Sequence, residues 1–278
     1  MATKTALGPD IVGLDLPATQ FSYEERDTML YALGVGAKEL EFIFERGLKA
    51  LPTFAVIPAF PALMGLSSAV EINPVMILHG EQGFRIQKTI PSSGALTTAG
   101  KITGVYDKGK GALVTIETTT RDAGGDVVFT NTSGIFVRGA GGFGGERGPE
   151  AGNAAPDRAP DKTVEMPTLD IQAAIYRLSG DRNPLHIDPA FANMAGSDRP
   201  ILHGLCTFGH VGRAVLAEYA GNDPARFVAM SVRFSGVVYP GDTIITDMWD
   251  EGSGKILVQA RTQDGRVAIS NALVEVKS

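Results

Sequence analysis

ILHGLCTFGHVGRAVLAEY, residues 201–219, decides the fold. Its apolar residues fall at Leu202, Leu205, Cys206, Val211, Val215, Leu216 and Tyr219, a helical spacing that predicts a long, largely buried helix despite three glycines. Downstream, residues 243–249, 256–262 and 267–276 alternate in the manner of antiparallel strands, with DEGSG (250–254) as a turn between the first two. A long helix followed by such strands predicts an α+β unit in which a sheet wraps the helix.

The same order occurs earlier in the chain. Tyr31-Ala-Leu-Gly34, Leu51-Pro52 and Ile90-Pro91 mirror Tyr176-Arg-Leu-Ser179, Arg199-Pro200 and Tyr239-Pro240. The interval from Pro52 to Pro91 nearly equals that from Pro200 to Pro240. Alternating runs at 101–106, 112–120 and 127–137 follow, with DKGKG (107–111) matching DEGSG. The halves therefore read as diverged copies. Between them GAGGFGGERG (139–148) and a proline-rich stretch show no apolar face and read as a linker. In the proline register 201–204 pairs with 53–56. The first helix, 53–64, is read as shorter and broken by Pro58 and Pro61. The identical tetrapeptides Ile77–Gly80 and Ile201–Gly204 then have unrelated roles, the first lying just ahead of a strand expected at 84–90.

Composition narrows the class. A net charge of −6, with basic residues scattered, argues against nucleic acid and polybasic membrane contact, and no apolar run approaches the roughly 20 residues of a bilayer span. Cys206 stands alone, the N-terminus MATKTALGPDIVG lacks the apolar centre of a signal peptide, and the ending VEVKS is not the Ser-Lys-Leu address. A cytoplasmic location is the expectation.

Residues 176–190 break the pattern of a core element. Gly180 and Asn183-Pro184 enforce turns that bring Asp181 and His186 round one irregular loop. Such a carboxyl and imidazole can grip one water, the imidazole taking a proton and the carboxyl able to give one back. Alone the pair reads more readily as a turn-former and a structural histidine than as an active site. Pro200 and His203-Gly204 are read as the first turn of the long helix, where N–H groups have no intrahelical partner and Gly204 allows close approach of a ligand oxygen. That is a place for a carbonyl acquiring negative charge. Gly209 and Gly212 are read as close-packing positions. His203 and His210 are read as structural, with no third ligand to suggest a metal site. The first half places Gly36 opposite Asp181 and Glu41 opposite His186, so it has no acid–base pair there.

YRLSGDRNPLHIDPAFANMAG (176–196) with RPILHGLCTFG (199–209) resembles 2-enoyl-CoA hydratase 2, the MaoC-like hydratase of peroxisomal multifunctional enzyme type 2. Residues 30–57, ILHGEQ (77–82), DKGKG and GAGGFGGERG resemble that family's N-terminal half, so the likeness covers nearly the whole chain. It implies a double hot-dog fold. The halves would be an N-terminal repeat (1–138) that is non-catalytic and binds the acyl chain and CoA, a linker (139–165) and a catalytic C-terminal repeat (166–278). It implies a hydro-lyase that reversibly hydrates trans-2-enoyl-CoA to (R)-3-hydroxyacyl-CoA in fatty-acid or related acyl-CoA metabolism. No metal or redox cofactor is implied, coenzyme A being part of the substrate, and the assembly would be a homodimer.

Position by position, the resemblance makes Asp181 and His186 the catalytic pair, Asn183 their hydrogen-bonding support and the Gly204 N–H the holder of the thioester oxygen. His79, Gly80, Lys108, Arg182, Pro184, Leu185 and Phe234 match contacts to the CoA thioester, and Glu45 matches an acidic position important to the family's integrity or activity. Gly83 departs, the family tending to carry a larger residue there. The interrupted first helix suggests an acyl tunnel beside Ala59 and Leu63. An acyl-CoA thioesterase and a non-catalytic acyl-CoA-binding subunit stay open as alternatives.

Overall fold

The computed structural model describes residues 4–150 and 152–277; residues 1–3, 151 and 278, which fall in the N-terminal segment, the linker and the C-terminal address read above, lie outside it. The first half runs β1 (Thr5–Ala6), β2 (Asp15–Tyr23), α1 (Glu25–Gly34), α2 (Leu40–Ile43), α3 (Val56–Met64), α4 (Leu66–Ala69), β3 (Val70–Glu71), β4 (Ile77–Ile86), β5 (Gly94–Asp107), β6 (Gly111–Asp122) and β7 (Val127–Arg138). The second runs β8 (Lys162–Pro167), α5 (Gln172–Tyr176), α6 (Pro189–Met194), α7 (Gly204–Ala220), β9 (Phe227–Phe234), β10 (Thr243–Asp250), β11 (Lys255–Thr262) and β12 (Val267–Val276).

Ten strands form one antiparallel sheet in the order β2-β5-β6-β7-β4-β9-β12-β11-β10-β8, with β1 and β3 a separate parallel pair. The order is a palindrome of the repeat, β4 corresponding to β9, β7 to β12, β6 to β11, β5 to β10 and β2 to β8. The halves join at β4 and β9, where Glu81–Arg85 pairs with Ala229–Arg233. α3 lies against β2, β5, β6 and β7, and α7 against β8, β9, β10 and β12. This is the double hot-dog arrangement, α+β, with two wrapped helices behind one continuous sheet.

Every residue of α7 from Leu205 to Leu216 is buried. Burial on all sides requires close neighbours, and the glycines supply the room. A Cβ on Gly209 would lie 2.3 Å from Val35 Cγ1, and one on Gly212 would lie 2.4 Å from Thr53 Cγ2. Tyr31 and Tyr176, the residues that open the repeat register, are fully buried with ring centroids 6.1 Å apart, so the two copies pack on each other where their sequences match.

Four readings change. α7 starts at Gly204, not Ile201, because His203 is extended (φ −58°, ψ 135°) and acts as N-cap. α3 is not broken: Pro58 falls in its first turn, where no N–H partner is lost, and Pro61 removes a single bond. With its flanking turns the helical run spans Pro52–Ala69, 18 residues, so it is no shorter than α7. Among the described residues it alone is long and apolar enough to cross a membrane, yet 61% of it is buried inside the fold. The strand expected at 84–90 begins at Ile77, which puts the Ile77–Gly80 tetrapeptide inside β4.

The fourth concerns the linker. Asp107, at the end of β5, accepts N–H bonds from Gly109 (2.7 Å), Gly142 (2.9 Å) and Gly144 (2.8 Å), and its own N–H donates to the Glu146 carbonyl (2.8 Å). The glycine-rich segment is thus folded back on the β5–β6 turn, and the second half's first strand starts at Lys162. The N–H groups of Gly142, Gly109 and Gly144 hold the Asp107 carboxyl below the usual carboxylate range. Its contribution is therefore present above the ordinary carboxylate pKa and lost as pH falls through the lowered one. Asp107→Ala is expected to speed tryptic cleavage after Arg138 and Arg147 severalfold while leaving far-UV circular dichroism unchanged. Wild-type cleavage rates would show that the carboxylate does not hold the loop.

Candidate active site

The chain leaves α5 through a tight turn, Arg177–Ser179, and reverses at Gly180, whose φ of 136° no side-chain-bearing residue adopts easily. Asp181 follows and its carboxylate accepts the Asn183 N–H (3.1 Å). Asn183 in turn caps the turn Pro184–His186 by accepting the Leu185 N–H (3.0 Å). Its side chain therefore steadies the loop backbone, and its bond to the catalytic candidates is the one from its own N–H to the Asp181 carboxylate. His186 ends this turn and is buried, with Nδ1 2.9 Å from the Ile201 carbonyl. A carbonyl only accepts, so Nδ1 carries the proton and the Nε2 lone pair is left for the cavity. Burial lowers the His186 pKa, against raising contributions from the Ile201 carbonyl and Asp181, so the ring is neutral at neutral pH.

The second element is the start of α7. Gly204 is exposed although its neighbours are buried, and the N–H groups of Gly204 and Leu205 donate to no acceptor among the described residues. A Cβ at Gly204 would lie 3.3 Å from the Phe234 ring. Glycine at this position keeps open the approach to a helix N-terminal donor.

Between these elements lies a cavity of about 1100 Å³. Asp181, Arg182, Asn183, Pro184, Leu185, His186, Gly204, His79, Gly80, Lys108 and Phe234 all line it, brought together from the α5–α6 connection, α7, β4, the β5–β6 turn and β9. Glu45 is not brought there. It is exposed in the turn after α2, outside the cavity lining. The other limb of the cavity is apolar, with Phe60, Leu63, Met64 and Leu66 from the α3–α4 run. Leu63 therefore lines the proposed tunnel, whereas Ala59 faces only a small neighbouring void. Gly83 is explained by packing: a Cβ there would meet Thr132 Oγ1 at 2.8 Å and the β9 backbone at 3.3 Å.

At the positions opposite Asp181 and His186 the first half has no acid–base pair. Gly36 abuts His210, Nε2 lying 2.8 Å from where its Cβ would be, and Glu41 is paired with Lys49 at 3.2 Å.

Three features of the site escape sequence reading. Arg233 and Glu81, which pair across the β4–β9 junction, line the cavity wall. Phe60, Met64 and Leu66 read as ordinary helix residues. His203, read as structural, is 1% exposed and stacks on His186, with ring centroids 3.7 Å apart and planes at 28°. Its adjacency to Gly204 is the one signal that sequence offers.

Ligand atoms of Asp181, His186 and His203 lie within 4.8 Å of one another. Imidazole lone pairs lie in the ring planes, however, and two near-parallel stacked rings do not converge on one ion at a bond length of about 2 Å. The spacing suits a water held between Asp181 and His186.

Among known families, the MFE-2 hydratase 2 N-terminal domain matches residues 21–139 and the MaoC-like domain matches residues 151–272. The chain is 44% identical to peroxisomal multifunctional enzyme type 2 of Drosophila melanogaster over 96% of its own length and 48% of that protein. It spans 31%, 48% and 38% of three multifunctional relatives that it matches. The probable enoyl-CoA hydratase 2 of Dictyostelium discoideum is 41% identical, with 96% of this chain and 95% of that protein covered. A solved MaoC-like dehydratase from Phytophthora capsici superposes with a TM-score of 0.88 at 37% identity, covering 97% of this chain and 98% of that one. A Mycobacterium tuberculosis protein described as a double hot-dog fold superposes at 0.64 with 13% identity over 96% of each chain, a likeness of fold alone. With both halves matched in order and a relative of matching length at 41% identity, the chain belongs to the MaoC-like hydratase 2 family.

Proposed function

We propose that this chain is a hydro-lyase that reversibly hydrates trans-2-enoyl-CoA to (R)-3-hydroxyacyl-CoA in fatty-acid or related acyl-CoA metabolism. One observation carries the reading: a neutral imidazole and a carboxylate face the same cavity as an exposed helix-terminal N–H at Gly204. The thioester carbonyl oxygen takes the Gly204 N–H. Asp181 accepts one hydrogen of the water and orients it, and His186 Nε2 accepts the other. As the water oxygen bonds to C3, its proton moves to His186 and negative charge collects on the thioester oxygen, where the N–H and the helix dipole meet it. The proton on His186 then passes to C2, restoring the neutral ring and completing addition of one water across the double bond. Asp181, His186 and the Gly204 N–H carry every step of this sequence.

The second half carries the chemistry and the first half supplies the tunnel wall. Leu63→Trp is expected to lower turnover of long-chain enoyl-CoAs at least tenfold more than that of crotonyl-CoA, read from kcat/KM across chain lengths. Equal losses at every length would show that Leu63 does not border the acyl chain. Lys108, Arg182 and the His79-Gly80 backbone line the same cavity and suit the pantetheine and phosphate end of the substrate.

Incubation with crotonyl-CoA tests the reading directly. Hydration removes enoyl absorbance without releasing thiol, whereas a thioesterase releases thiol and a non-catalytic subunit changes neither. A homodimer belongs to the same proposal and is checked by light scattering at assay concentration. The relatives' names carry the word peroxisomal, so the cytoplasmic expectation widens here to a compartment that includes the peroxisomal matrix.

A further inference from the structure

His203 is a buried polar side chain that the mechanism above leaves unused. It is the N-cap residue of α7, directly before the Gly204 donor, but its side chain makes no capping bond. Instead Nε2 lies 3.1 Å from the backbone carbonyl of Asp181. A carbonyl only accepts, so Nε2 carries the proton and Nδ1 holds a lone pair, buried and without a partner among the described residues. One face of the ring lies on His186, and Tyr176 lies 4.8 Å from it, centroid to centroid. One residue thus touches all three parts of the reaction centre: the acid–base loop through its hydrogen bond, the base through its face, and the oxyanion donor through the chain.

We infer that His203 is a positioning residue, a neutral aromatic platform that fixes His186 from behind and ties the Asp181 loop to the start of α7. The inference rests on the hydratase reading above. Its two parts are separable. The hydrogen bond to the Asp181 carbonyl sets where the carboxylate of that residue starts from, and so where the water is held. The stacked face keeps bulk water off His186 and meets the imidazolium that forms when the proton is taken, in a geometry favourable to a cation over a ring.

Neutrality of the platform matters, because a second positive charge on a ring stacked at 3.7 Å would oppose protonation of His186. Burial, with His186 and Arg177 adding to it, holds the His203 pKa down to about 2, so it stays uncharged throughout the working range. The titratable and charged groups that share the cavity with His186 are Asp181 and Arg182 from the loop, Lys108 in the β5–β6 turn, His79 and Glu81 on β4 and Arg233 on β9, with Tyr176 and Arg177 at the end of α5 beside His203. None of these is held by His203 itself except the Asp181 backbone.

Desolvation depresses the His186 pKa. His186 must be neutral to act as base, so activity falls as pH drops through that lowered value. Removing the platform admits water, relieves the depression and moves the acid limb of kcat/KM to higher pH. An apolar ring in the same place keeps water out but cannot make the hydrogen bond.

The test measures kcat, KM and the pH profile of crotonyl-CoA hydration for wild type, His203→Ala and His203→Phe, with thermal midpoints alongside. The expected result is a kcat loss of about tenfold or more in both variants with KM within twofold. The acid limb is expected to rise in His203→Ala and to stay at the wild-type position in His203→Phe. A stable His203→Ala with an unmoved acid limb would overturn the platform role. Wild-type kcat in His203→Phe would overturn the tether. If His203→Ala does not fold, the kcat of His203→Phe decides the tether, and the acid limb of His203→Ser, which also opens the space to water and is expected to rise, decides the platform. Wild-type protein inactive on every enoyl-CoA would instead remove the hydratase reading.

Discussion

His186→Ala and Asp181→Ala are each expected to lower kcat for crotonyl-CoA hydration by about 10²–10⁴-fold, the usual cost of removing a positioned general acid–base group. KM should change little, because the residues suited to hold the CoA portion lie elsewhere in the cavity, at Lys108, Arg182 and β4. The two losses should not add in the double variant, since both side chains hold the same water. The His186 substitution removes the proton acceptor and the Asp181 substitution removes the group that orients the water. Each leaves the fold's main supports in place: among the described residues the His186 side chain's one hydrogen bond is to Ile201, and the Asp181 carboxylate's is to the Asn183 N–H. Hydration at near wild-type rates in either variant, measured by loss of enoyl absorbance, would remove the acid–base assignment.

Gly204→Pro isolates the other half of the chemistry. Proline at the first helical position is well tolerated, because the N–H it lacks has no intrahelical partner there. His203 already has the extended backbone that a residue before proline requires, with ψ at 135°. The substitution therefore deletes the proposed oxyanion donor while α7 keeps its start. The expected cost is about 10²–10³-fold in kcat, as for other single oxyanion donors. Steric effects need a control, because a Cβ at this position sits 3.3 Å from the Phe234 ring. Phe234→Leu in the same background makes room, and the loss should persist there. Recovery of activity in the double variant would show that crowding, not the missing N–H, caused the loss.

Much of the architecture is written in local pattern. The proline spacing and the matched DKGKG and DEGSG turns reveal the duplication because each copy must place one helix and the same strands around it. What the pattern does not contain is how the copies meet. β4 and β9 pair across the two halves, and the pairing of Glu81–Arg85 with Ala229–Arg233 leaves no periodic trace. The glycine-rich segment misleads for a similar reason. Its order comes from Asp107, far upstream at the end of β5, and not from any apolar face of its own. Pro58 and Pro61 look like helix breakers in sequence, yet one lies where no N–H partner exists and the other sits in a helix largely buried under the sheet.

The site follows the same division. Asp181 and His186 are legible because turn residues force an irregular loop, and Gly204 because a glycine at a helix start has few structural excuses. Their convergence on one cavity with Lys108 and Phe234 is a property of the fold. His203 is passed over in sequence because a histidine beside a helix looks structural until its ring is found 3.7 Å from the base. Glu45 enters by resemblance alone, and nothing in the local chemistry of its exposed turn ties it to the cavity.

The most direct measurement runs the reaction on crotonyl-CoA in D₂O and analyses the product. The expected product is (R)-3-hydroxybutyryl-CoA carrying one deuterium at C2, since the nucleus that His186 delivers to C2 comes from the solvent water that adds at C3. Free coenzyme A, an (S) product, or a 3-hydroxy product without deuterium at C2 would contradict the proposed hydration.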